Sequence, residues 1–231
     1  MQPCAVIGDI HGRLDLLNKM LKHLDHHISP SDHVILLGDY IDRGTESAAV
    51  LKDLYGRRND GKFVTLMGNH EAMMMAFLQQ PVAHGARWLR YGGLQTLASF
   101  EIAVTRSAPD DAELTRIAEQ LKEALGADMI DWLTQLPKVW QTGNVAVVHA
   151  GADPDRPVAT QPDQILLWGH DAFGKRARSD GIWVVHGHTI VDAPMSKNGV
   201  ISLDTGAYAT NRLSAAILSP GSCQFVTVQS D

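Results

Sequence analysis

The sequence has little cysteine and no long hydrophobic run, and each absence excludes a class of protein. Cys4 and Cys223 are the only cysteines among 231 residues, too few for a disulfide scaffold or a thiolate zinc site. No apolar run approaches the roughly 20 residues that cross a bilayer, and the N-terminus lacks the basic start and apolar core of a secretory signal. These features predict a cytoplasmic protein without a membrane-spanning segment.

Positive charge is also scarce, because 20 Lys and Arg residues stand against 26 Asp and Glu, for a net charge of −6. That balance repels a polyanion, so we expect no coat of nucleic acid. Hydrophobic residues make up 45% and charged residues 20%, which is typical of a globular protein that buries its own core. The sequence carries no signal for an oligomeric state.

Short apolar runs rich in β-branched residues recur along the chain and predict buried strands. These runs are Ala5–Ile7, Val34–Leu37, Phe63–Met67, Val145–Val148 and Trp183–Val185. Leucines at 14, 17, 21 and 24 follow the first run with helical spacing, which is typical of a strand–helix–strand unit. The pattern therefore predicts an α/β (α+β) fold.

Between about residues 71 and 136, helical periods dominate and no strand pattern appears. Asp110 with Glu113 three residues later is a helix N-terminal signature within this stretch. We interpret the chain, 1–231, as one domain with a helical cap or insertion at about 71–136. The tail from Val200 to Val228 alternates short strands with turns and is predicted to form a meander at one side of the core.

Five polar clusters follow the predicted strands, where ligands bind in open α/β sheets. They read GDIHG at 8–12, GDYIDRG at 38–44, GNHE at 68–71, HAG at 149–151 and GHT at 187–189. Together they offer carboxylate, amide and imidazole donors without a thiolate, a set that suits divalent manganese, iron or zinc. The clusters therefore predict a site for divalent cations.

This motif set resembles the phosphoprotein phosphatase family of binuclear calcineurin-like metallophosphoesterases, in its compact bacterial and phage form. The resemblance implies a central two-sheet β-sandwich flanked by helices and two divalent metal ions, Mn²⁺ first, with Fe or Zn as alternatives. It implies these metal ligands: Asp9, His11, Asp39, Asn69, His149 and His188. Asp39 would bridge the two ions, whereas His186 matches no ligand position and is predicted to pack or to support the site.

The resemblance also implies that His70 is the general acid, that Asp42 holds it protonated and that Arg43 binds the phosphoryl group. One position departs from the family. Small bacterial members carry a second phosphate-binding arginine two residues after a Leu-Leu-Trp run, where this chain has His170. Either His170 or a nearby arginine, Arg176 or Arg178, is predicted to take that role.

These features predict a metal-dependent phosphomonoesterase, a phosphoprotein phosphatase acting on phosphoserine or phosphothreonine by means of a metal-bridging hydroxide. Its partner is then a phosphoprotein or a small phosphorylated substrate. One alternative is hydrolysis of a dinucleoside polyphosphate such as diadenosine tetraphosphate, although symmetrical hydrolases of that kind generally lack the aspartate found here at Asp42. Another is a weakly catalytic phosphate-binding regulator, suggested by His170.

Overall fold

The computed structural model describes residues 1–230, which form ten strands and nine α-helices. The strands are β1 (Cys4–Ile7), β2 (His33–Leu36), β3 (Phe63–Thr65), β4 (Val139–Thr142), β5 (Val145–Val148), β6 (Trp183–His186), β7 (Met195–Lys197), β8 (Val200–Ser202), β9 (Arg212–Ser219) and β10 (Ser222–Gln229). The helices are α1 (Leu14–Leu24), α2 (Ser47–Arg57), α3 (Asn69–Gln79), α4 (Pro81–Trp88), α5 (Leu94–Ser99), α6 (Asp111–Leu125), α7 (Ala127–Thr134), α8 (Asp163–Trp168) and α9 (Ala207–Thr210). A π-helical turn, Leu89–Gly93, joins α4 to α5. Within residues 1–230, none of the helices is long and apolar enough to cross a membrane.

The strands form two mixed sheets of five strands each. Sheet A has the order β10-β9-β1-β2-β3, with β1, β2 and β3 parallel and β9 antiparallel to β1. Sheet B has the order β4-β5-β6-β8-β7, with β5, β6 and β8 parallel. The predicted α/β fold with a two-sheet sandwich and flanking helices is confirmed. Because the parallel strands point the same way within each sheet, the loops that follow them gather at one edge.

Strand alternation builds the layers of the core. In β1, Val6 packs between the two sheets, whereas Ala5 and Ile7 face the helices on the outside of sheet A. In β5, Val147 faces the inter-sheet core, while Val148 packs with α8 on the outer face of sheet B. Both faces of the central strands are therefore buried, which explains why these strands read as continuous apolar runs.

Five helices and the π-helical turn lie between β3 and β4, in the stretch for which we predicted a helical cap. The Asp110 side chain accepts a hydrogen bond of 2.9 Å from the Glu113 backbone N–H at the start of α6, as its spacing indicates. The predicted meander of the tail is wrong. β8 belongs to sheet B, whereas the β9–β10 hairpin completes sheet A, because the chain crosses between the sheets at α9.

Candidate active site

The loops after β1, β2, β5 and β6 meet at one edge of the sandwich, beside the first turn of α3. They bring all six predicted metal ligands together. Five of these side chains are buried and the sixth, His188, is half-buried; the set is Asp9, His11, Asp39, Asn69, His149 and His188. Two sets of donor atoms each lie within 4.8 Å of one another: one comprises His11, Asp39 and His70, and the other comprises Asp39, His149 and His188.

Backbone strain is concentrated at this edge. Eight residues other than glycine have a positive φ in residues 1–230, and five of them are predicted site residues: His11, Asp39, Asp42, Arg43 and His188. Such conformations cost of order 1–3 kcal/mol each and persist where the surrounding structure enforces them. The fold therefore holds these side chains in a fixed arrangement at an energetic cost.

The Asp39 carboxylate lies between the two sets of donors. Its Oδ2 is 3.5 Å from His11 Nε2, and its Oδ1 is 3.4 Å from His149 Nε2. Burial raises the pKa of Asp39, but the charged His70 imidazole and the His70 backbone N–H, which donates to Asp39 Oδ1 at 3.0 Å, outweigh burial and hold that pKa below its usual range. Asp39 is therefore anionic, with one oxygen directed at each set.

Hydrogen bonds to main-chain carbonyls fix the tautomers of two histidines. His11 Nδ1 donates to the Ile41 carbonyl at 2.8 Å, and His149 Nδ1 donates to the Leu37 carbonyl at 2.9 Å. Each Nε2 is then an unprotonated acceptor that points into the site. Asn69 Oδ1, also an acceptor, lies 2.8 Å from His149 Nε2. Lone pairs that converge in this way fit a cation held between them.

One carboxylate oxygen of the site has no protein partner. Asp9 Oδ1 is buried without a hydrogen-bond donor, and burial together with Asp204 and Asp39 raises the pKa of Asp9 well above its usual value. The neighbouring backbone is tight, because a Cβ on Gly187 would overlap Asp9 Oδ1. A divalent cation would neutralise this charge, so the site fits hard cations with mixed oxygen and nitrogen ligands.

A hydrogen-bonded pair lies beside these donors. His70 Nδ1 is 2.6 Å from Asp42 Oδ2, and its Nε2 faces Asp39 Oδ2 at 3.8 Å. Burial would lower the pKa of His70, but the carboxylates of Asp39 and Asp42 outweigh burial and raise it above its usual value. The imidazole can thus hold a proton on the ring nitrogen that faces the donors.

Two residues of the helical region donate hydrogen bonds to the Asp42 carboxylate of this pair. Trp88 Nε1 donates to Asp42 Oδ2 at 3.0 Å, and the Thr96 hydroxyl donates to Asp42 Oδ1 at 2.6 Å. Both Asp42 oxygens therefore have fixed partners, which orients the carboxylate toward His70.

Arg43 lies on the His11 side of the site. Its guanidinium stacks over the Tyr208 ring at 4.8 Å from the centroid, and the Tyr208 ring meets His11 edge to face at 5.4 Å. Within residues 1–230, Arg43 is absent from the six arginine–carboxylate ion pairs. A guanidinium without an internal anion is available to an external one.

The sequence matches the calcineurin-like phosphoesterase family over residues 3–199. The chain belongs to this family. It is 29% identical over 221 residues to serine/threonine-protein phosphatase 2 of Escherichia coli, with 90% of this chain and 89% of that protein covered. It is 26% identical over 234 residues to an asymmetrical bis(5'-nucleosyl)-tetraphosphatase of Oceanobacillus iheyensis, with 91% and 86% covered.

Solved structures support the fold assignment. A cold-active protein tyrosine phosphatase variant superposes with a TM-score of 0.65 at 17% identity, covering 99% of this chain and 81% of that one. Calcineurin-like phosphoesterases use a binuclear divalent metal centre, and the His and Asp clusters of this chain are compatible with one. The two relatives are named for different substrates. Family membership therefore indicates phosphoester hydrolysis and leaves the substrate class open.

In this phosphoesterase, the three candidates for a second phosphate contact differ in their surroundings. His170 is half-buried, and its Nδ1 accepts a hydrogen bond of 3.3 Å from the Ala172 backbone N–H. Arg176 is paired with Asp155, and Arg178 is paired with Asp180. His186 hydrogen-bonds Ser202 Oγ at 2.8 Å, and its role in packing or in supporting the site stays a prediction.

Sequence reasoning missed the role of Glu71. This fully buried carboxylate accepts backbone N–H bonds from Asp39 and Tyr40, both at 2.8 Å, and from Gly68 at 3.0 Å. It therefore fixes the loop that carries Asp39 to the start of α3. The GNHE cluster that contains Glu71 was the available signal.

Proposed function

We propose that this calcineurin-like phosphoesterase is a serine/threonine protein phosphatase that depends on two divalent cations, with Mn²⁺ as the leading candidate. Its proposed metal ligands are Asp9, His11, Asp39, Asn69, His149 and His188. When bound, the cations supply an acidified water as nucleophile and neutralise phosphoryl charge. The convergent acceptors at Asn69 and His149 and the partnerless Asp9 Oδ1 support this assignment.

The remaining steps fall to side chains of the chain itself. Arg43 binds phosphoryl oxygens through its planar guanidinium, which has no internal carboxylate partner within residues 1–230. His70 gives a proton to the departing oxygen, and Asp42 keeps the imidazole oriented and charged. His170 or Arg176 makes the second contact to the phosphoryl group.

The observation that carries this proposal is the Asp42–His70 pair. An alkoxide leaving from phosphoserine or phosphothreonine is strongly basic and departs as an alcohol only if it receives a proton. A nucleotide leaving from a polyphosphate is a phosphate, whose second pKa is about 6, so it departs without one. A buried imidazole held protonated by a carboxylate therefore speeds the hydrolysis of a phosphoserine or phosphothreonine ester and adds little to the hydrolysis of a polyphosphate.

Dinucleoside polyphosphate hydrolysis is the second candidate, because the Oceanobacillus relative is named for it. Steady-state kinetics with Mn²⁺ on a phosphoserine peptide, diadenosine tetraphosphate and p-nitrophenyl phosphate separate the candidates. We expect the highest kcat/KM among the biological substrates for the phosphopeptide. Equal or faster turnover of the nucleotide would overturn the proposal, and failure to hydrolyse even p-nitrophenyl phosphate would favour a phosphate-binding regulator.

A further inference from the structure

A groove runs from Arg43 along the helical region, away from the metal-site residues. Its first part has a volume of about 480 Å³ and is lined by Arg43, Tyr208, Arg90, Tyr91 and Leu94, among others. Its second part, of about 510 Å³, shares Arg90 and Leu94 with the first. We name these two connected depressions the cap groove.

The second part of the cap groove has apolar walls. Val104, Pro109 and Leu114 line it, together with Arg106. Arg106 already pairs with Asp110, so Arg90 is the cation of this part that lacks a carboxylate partner within residues 1–230.

The first part of the groove is held against the turn that carries Asp42 and Arg43, which we name the catalytic turn. Gly92 has a φ of 120°, and a Cβ there would lie 2.8 Å from Arg43 N and 3.0 Å from Asp42 Cβ. The π-helical turn that carries Arg90 and Tyr91 is thus packed directly on the residues proposed to bind phosphate and orient His70. A ligand in the groove would therefore continue directly from a phosphoryl group at Arg43.

Charge and exposure indicate what the groove accepts. Arg90 is exposed and is absent from the arginine–carboxylate ion pairs within residues 1–230, as Arg43 is. Tyr91 and Leu94 are 46% and 47% exposed and belong to the seven exposed large apolar side chains within residues 1–230. An exposed cation beside exposed apolar side chains complements a ligand with acidic and apolar groups.

We propose that the cap groove binds the polypeptide that flanks the phosphorylated residue, and that Arg90 selects substrates with acidic residues near the phosphate. The apolar side chains of the substrate lie on Tyr91 and Leu94, and its carboxylates face Arg90. This proposal rests on the proposed protein phosphatase function and defines its substrate class more closely. A rim charge of this kind acts on KM and on salt dependence more than on kcat.

The test compares two phosphoserine peptides that differ only in having Glu or Lys on both sides of the phosphoserine. The readout is the ratio of kcat/KM for the Glu peptide to that for the Lys peptide, measured with Mn²⁺ at low and high NaCl. In the wild type we expect a ratio of about fivefold or more at low salt, the upper range of one exposed ion pair, carried by KM and reduced by NaCl. We expect Arg90→Gln to bring the ratio toward one and Arg90→Glu to favour the Lys peptide.

Arg58→Glu is the matched control, because it makes the same change in net charge away from the site. Like Arg90, Arg58 is absent from the arginine–carboxylate ion pairs within residues 1–230. Its guanidinium lies 3.7 Å from the Tyr55 ring centroid. We expect it to keep the wild-type ratio. The cap-groove proposal alone is overturned if Arg90→Glu leaves the ratio unchanged. It is also overturned if Arg58→Glu changes the ratio as much as Arg90→Glu does. Hydrolysis of diadenosine tetraphosphate with neither peptide cleaved overturns the phosphatase proposal itself.

Discussion

The indole N–H of Trp88 lies 3.0 Å from Asp42 Oδ2, the same oxygen that is 2.6 Å from His70 Nδ1. A residue of α4 thus sets the orientation of the carboxylate behind the proposed general acid. Trp88 is fully buried and stacks on Phe77 of α3 at 4.9 Å between ring centroids, so the donor is immobilised. The helical region therefore contributes a side chain to the candidate site and is not only a cover.

We expect Trp88→Phe to lower kcat on a phosphoserine peptide by about tenfold, the lower range for loss of a hydrogen bond that orients a site residue. Phenylalanine keeps an aromatic ring against Phe77 but is smaller than the indole, so the variant loses some packing as well as one fixed donor to Asp42. Metal content, measured by elemental analysis, should stay at the wild-type level. Trp132→Phe is the control, since Trp132 contacts Tyr55 away from the site and should keep wild-type kcat. Equal losses in the two variants would show that the indole N–H is not what matters.

We expect His70→Asn to lower kcat by about 10²–10⁴ while both metal ions remain bound. The loss should be largest for esters with poor leaving groups, because an activated aryl phosphate departs without a proton. Kinetics on a series of aryl and alkyl phosphates measures this dependence directly. If the most activated ester loses as much as phosphoserine, His70 is not the proton donor.

The residues that meet at the site follow from the sequence, because each polar cluster stands at the end of an apolar run and the runs mark strand ends. Asp39 and His149 come together for that reason, although Asp39 follows a strand of sheet A and His149 follows a strand of sheet B. The contacts of Asp42 with Trp88 and Thr96 do not follow from it. They join residues 46 and 54 positions apart, and they depend on how α4 and α5 pack on the catalytic turn.

The tail marks a second limit of sequence reasoning. Alternation predicts that β8, β9 and β10 are strands, but a period of two residues does not state which neighbour a strand pairs with. Val200 pairs with Val184 in sheet B, whereas Ala216 pairs with Val6 in sheet A. The chain crosses from sheet B to sheet A at α9, and this crossing places β8 in one sheet and β9 and β10 in the other.

We expect position 170 to control phosphate affinity. His170→Arg places a permanently charged fork where the chain now has an imidazole, and a charged hydrogen bond to phosphate is worth about 1.5–3 kcal/mol. KM for a phosphopeptide should therefore fall by about tenfold or more, with metal content unchanged. Arg176→Ala is the comparison, because Arg176 already pairs with Asp155. An unchanged KM in His170→Arg, beside a raised KM in Arg176→Ala, would assign the contact to Arg176 instead.

The two oxygens of Asp39 face the two sets of donors. Oδ2 lies 3.5 Å from His11 Nε2, and Oδ1 lies 3.4 Å from His149 Nε2. We expect Asp39→Asn to abolish turnover, because the neutral amide no longer bridges two cations.

The same substitution should also make the melting temperature nearly independent of added metal. A cation that binds only the folded state at about a hundredfold excess over its Kd adds about 2.7 kcal/mol, which raises Tm by about 5–10 °C in a chain of this size. Thermal melts with Mn²⁺ and with EDTA should show that shift in the wild type and in the surface control Asp53→Asn, whose carboxylate pairs with Arg57, and little of it in Asp39→Asn. Two bound metals per chain and near-normal turnover in Asp39→Asn would contradict the bridging role.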